Sequence, residues 1–116
     1  MDFQYAGDTA DAFIRCASSD LEGAHVFNLH GETVRVQEIA DQITRSARAI
    51  LGGSARPEIS VEGKQNSAPS HMDDGAIRRA LGDFRVTPLE DGVRQTISRF
   101  AELARRGPLD LSDLEV

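Results

Sequence analysis

The sequence predicts an α/β domain built on a small parallel βαβ unit with packed helices, and three observations predict it. The run His25-Val-Phe-Asn-Leu-His-Gly31 has the β-branched and aromatic character of a largely buried strand, and Gly31 permits the reversal that ends it. Next, Val36, Ile39, Ala40, Ile43, Ala47, Ile50 and Leu51 recur at steps of three and four, the period of an amphipathic helix. A second apolar run, Glu58-Ile-Ser-Val61, then follows Gly52-Gly-Ser54 and Pro57. Strand, helix and strand in that order form a right-handed crossover with parallel strands.

The remaining elements follow from local chemistry. Asp2-Phe-Gln-Tyr-Ala-Gly7 reads as a short extended piece. Asp8 stands where an N-cap belongs, and Ala10, Phe13, Ala17 and Leu21 supply an apolar stripe, which predicts a helix over 8–18. The central helix begins with Arg35 three residues before Glu38, so Thr33 is the expected cap. The polar stretch 62–70 reads as a loop. Asp73 and Asp74 cap a short helix carrying Ile77, Ala80 and Leu81 and ending at Gly82. Thr87-Pro-Leu-Glu90 combines a capping box with proline at the first helical position. The helix it opens runs to about Arg106, with Val93, Ile97 and Phe100 expected in the packed face and Gly107 as its stop. Leucines and acidic residues make up most of the tail, 109–116.

At 116 residues the chain is one domain at most. Thirteen basic against nineteen acidic side chains give a net charge of −6 with no basic cluster, which argues against nucleic acid as a partner. Cys16 has no second cysteine to pair with and sits on an apolar stripe, as a small core residue in a reducing compartment would. No apolar run reaches transmembrane length and no leader opens the chain, so a cytoplasmic protein without a membrane partner is expected.

Four motifs in this order carry a family resemblance: Asp2-Phe-Gln-Tyr-Ala-Gly-Asp8-Thr-Ala10; Val26-Phe-Asn28-Leu-His-Gly31; Val34-Arg-Val-Gln-Glu38-Ile-Ala; and Met72-Asp73 to Leu81-Gly82 with Thr87-Pro-Leu-Glu-Asp-Gly92-Val. Together they resemble the carboxy-terminal portion of the NAD(P)-dependent epimerase/dehydratase family, the extended short-chain dehydrogenases/reductases that commonly act on nucleotide sugars. The resemblance implies that 1–108 form the substrate-side lobe of such an enzyme, followed by the acidic tail. It also implies NAD or NADP as cofactor of a full-length relative, and a missing N-terminal cofactor domain of roughly 100 to 200 residues.

The family's dinucleotide fingerprint, Gly-x-x-Gly-x-x-Gly between a strand and a helix, is absent. So is its catalytic Tyr-x-x-x-Lys, since Tyr5 is followed four residues later by Thr9. Without a phenol whose pKa a lysine lowers, no acid/base serves hydride chemistry, and the chain alone is expected to hold no cofactor and to be inactive. The family's Arg-x-Gly-Asp is replaced by Glu62-Gly-Lys64-Gln, and Met1 stands at a cut just after the position of a phosphate-binding arginine in many members.

Three residues are candidates for substrate contact: Asn28 at the strand end, Arg56 before Pro57, and Lys64 on the polar loop, whose cations suit an anionic sugar nucleotide. Each also has an ordinary reading, as a turn amide or a solvated cation. His25, His30 and Glu32 do not form a metal site, because two residues five apart on a strand point to opposite faces. His71 beside Asp73 and Asp74 is explained by helix capping. Two functions therefore remain. One is an enzyme fragment that needs its cofactor domain, and the other a free-standing binding or self-association module derived from the same lobe. Removing the cofactor domain leaves an exposed strand edge and an apolar patch carrying Phe3, Tyr5 and Phe13, from which a homodimer is expected, a stable monomer favouring the self-sufficient module.

Overall fold

The computed structural model describes residues 1–60 and 72–107. The order is β1 (Asp2–Phe3), α1 (Ala6–Ala17), β2 (Glu32–Thr33), α2 (Val36–Leu51), α3 (Gly75–Leu81) and α4 (Leu89–Arg106), with more than half of the described residues helical. The only strands among them pair antiparallel, Asp2 with Thr33 and Phe3 with Glu32, and the ladder continues in reciprocal bonds between Met1 and Val34. The expected parallel βαβ unit is therefore not formed. Residues 24–29 run extended without a ladder, and so do 58–60, where the second strand was expected, while Val61 lies outside the described residues.

The reason lies in what each backbone can reach. A Cβ on Gly31 would stand 2.0 Å from the Phe3 carbonyl oxygen, so only glycine lets the N-terminal segment come this close. Asp2 then fixes the approach: one carboxylate oxygen accepts the Gly31 N–H at 2.9 Å and the other meets His30 Nδ1 at 2.9 Å. The N-terminal strand thus takes up the end of the 25–31 run, and Ile59 is left with much of its side chain in solvent.

Helix α2 has the predicted bounds. Its N-cap is Arg35 and not Thr33, which belongs to β2. Glu38 reaches back to accept the Arg35 N–H at 2.8 Å, one half of a capping box, the other half being closed to a guanidinium that has no acceptor. The stripe of α2 packs along α4, the most extensive helix contact among the described residues, and Gln42 and Ser46 of α2 are buried.

The start of α1 differs from the prediction. Its N-cap is Tyr5, and Asp8 lies inside the first turn, where it accepts bonds from the Thr87 N–H (2.7 Å) and hydroxyl (2.6 Å) across 79 residues. That bond removes Thr87 from the expected capping box. Pro88 caps α4 instead, and the free N–H of Leu89 donates to Glu32 at 2.9 Å. Helix α3 follows Asp74 and stops at Gly82, whose φ of 80° suits glycine. Phe100, expected in the packed face of α4, is 57% exposed.

Candidate functional site

The buried apolar core of the described residues consists of Ala12, Ala40, Ala47 and Ile77 alone, with no large side chain fully enclosed. Two open apolar clefts lie on the molecule, one of about 420 Å³ lined by Phe3, Tyr5, Ile39, Ile43, Val93 and Ile97, and a second beside α1. Between β1, α2 and α4, Tyr5 lies flat against Gly92: a Cβ there would sit 3.2 Å from the Tyr5 ring, and the phenol donates to Gln95 at 3.2 Å. On the opposite side, α1 and residues 21–29 frame an open apolar cleft of about 490 Å³ with Ile77, 2% exposed, in its lining. Phe13, Cys16, Leu21, Val26 and Phe27 line it, and Phe13 and Val26 are 72% and 96% exposed.

The backbone beside this cleft belongs to no helix or ladder among the described residues. The rings of His25 and Phe27 stack with centroids 5.7 Å apart and planes 2° apart, the same-side relation of residues two apart in an extended chain. Among the described residues no backbone hydrogen bond reaches 24–29, and the only polar tie of this stretch is His25 Nε2 to the Glu22 carbonyl at 2.8 Å. A run of exposed N–H and C=O groups flanked by apolar side chains is a template for another strand.

The rim of the cleft is held in place by charge. Arg15 on α1 donates to Asp11 at 2.8 Å and to the Asp83 carbonyl at 3.1 Å, with its guanidinium 4.7 Å above the Phe84 ring. Arg78 on α3 donates to Asp74 at 2.8 Å and to the Phe84 carbonyl at 3.5 Å. The hydrogen bond from Arg78 lowers the Asp74 pKa against partial burial, and the nearby His30 acts in the same direction.

Of the residues singled out in the sequence, Asn28 lies exposed on the unpaired stretch and Arg56 lies exposed beyond α2; no hydrogen bond or ion pair joins them. Lys64 and His71 fall outside the described residues. Cys16 lines the cleft, half-buried, and is not a closed core residue. Among the described residues no group of three His, Cys, Asp or Glu side chains could hold a metal ion, and no helix is long and apolar enough to cross a membrane. No family model, curated protein or solved structure matches the chain.

Carboxylates of the chain itself stand at three of the helix starts. Glu38 accepts the Arg35 N–H at the start of α2, Glu32 accepts the Leu89 N–H at the start of α4, and Asp8 stands in the first turn of α1. Sequence reasoning missed the contacts that organise these starts, Asp8 to Thr87, Glu32 to Leu89 and Tyr5 to Gly92. Their only signal is that each carboxylate or small residue sits beside a turn, which many unconnected residues also do.

Proposed function

We propose that the chain is the substrate-side lobe of an NAD(P)-dependent epimerase/dehydratase acting on a nucleotide sugar, and that it neither binds the cofactor nor turns over substrate alone. The observation that carries this reading is the stretch 24–29, without a backbone partner among the described residues, beside an open apolar cleft, which is what a lobe presents when its neighbouring sheet is supplied by another domain. The residues of the four motifs also serve one another: Asp2 holds His30 and Gly31, Asp8 holds Thr87, and Tyr5 covers Gly92. In this reading Asn28 stands at the border between lobe and cofactor domain, and Arg56 and Lys64 approach the anionic substrate once that domain completes the pocket.

The test has two arms. Calorimetry of the isolated chain with NAD, NADP and UDP-glucose is expected to show no binding at micromolar concentration. The genomic reading frame adjoining the Met1 codon is expected to encode Gly-x-x-Gly-x-x-Gly and Tyr-x-x-x-Lys within roughly 200 codons, and that segment, co-expressed with the chain, to restore NAD(P) binding. Tight one-to-one NAD binding by the chain alone, or a locus with neither motif, contradicts the proposal.

A second reading, self-association, is favoured by the uncharged character of 24–29: the same stretch of a second copy meets it without bringing charge to the edge. Light scattering after gel filtration tests it: a homodimer that Val26→Lys converts to monomer supports self-association through this stretch, and a monomer contradicts it.

A further inference from the structure

We draw no further inference here: the strongest candidate, the apolar cleft between α1 and the extended stretch 24–29, belongs to the site already described, and nothing in the structure shows what else would cover it.

Discussion

The α2–α4 side and the α1 side are built from similarly apolar stripes and each keeps an open apolar cleft, about 420 Å³ and 490 Å³, yet among the described residues only the first has its extended segment tied by backbone bonds. On the α2–α4 side, Gln42 and Ser46 are buried, Tyr5 packs against Gly92, and Glu32 accepts the first N–H of α4. On the α1 side, Phe13 and Ile14 of α1 project largely into solvent, and 24–29 find no backbone partner among the described residues. The difference teaches that an apolar periodicity reports which face of an element wants cover, while the chain itself decides only part of what covers it.

The sharpest way to break the comparison is at the glycine that lets the tied segment approach. Gly31→Ala forces a Cβ against the Phe3 carbonyl and is expected to lower stability by about 3 kcal/mol. Gly53→Ala, with nothing within 4 Å of the added methyl, leaves the urea midpoint essentially unchanged. Equal midpoints for the two variants would show that β1 does not close against Gly31.

A smaller loss is expected from Asp8→Ala, which removes two charge-assisted acceptors and strands the Thr87 N–H. About 2 kcal/mol should disappear in chemical denaturation. Thr87→Val keeps the N–H bond and should lose less than Asp8→Ala; the reverse order would mean that the carboxylate does not hold this loop.

On exposed faces the effects should nearly vanish. Phe100→Ala is expected to cost about 0.5 kcal/mol, against about 3 to 5 kcal/mol for a phenylalanine enclosed in a core. A thermal melt of that variant displaced by ten degrees or more would place Phe100 in the packed face after all.

The least of these effects is a pH dependence. Because Arg78 lowers the Asp74 pKa in the folded chain, the pair's contribution is fully present above the unfolded carboxylate value of about 3.9. It is lost as pH falls through the folded value. Asp74→Asn should therefore flatten the acid limb of a stability–pH profile and leave its neutral region otherwise alike in slope. An unchanged acid limb would remove Asp74 from the account.

Much of the helical framework was legible in the residues. The three-and-four spacing from Val36 to Leu51 and the Gly82 stop correspond to the observed α2 and the end of α3, and α4 begins and ends within a residue of its predicted limits. Long-range partnership was not. Val26, Phe27 and Leu29 have the chemistry of a buried strand, but strand chemistry names no partner, and the one formed at Gly31 comes from Asp2 and Phe3 through a close approach that periodicity does not encode. Thr87 fits a capping box as well as it fits Asp8, and the choice depends on a residue 79 positions away. The candidate site was legible only as residue types: Asn28 and Arg56 are exposed and separate, and the cleft beside α1 is assembled from Phe13, Val26 and Ile77, three apolar residues with no motif of their own.

Amide hydrogen exchange on the isolated chain tests most directly whether 24–29 form an uncovered docking strand. The account predicts that their amides exchange at close to unprotected rates while those of α2 and α4 along the shared seam are protected. Protection of 24–29 equal to that of the seam, in a chain shown to be monomeric, would mean that the chain already covers this edge by itself and would contradict the central claim.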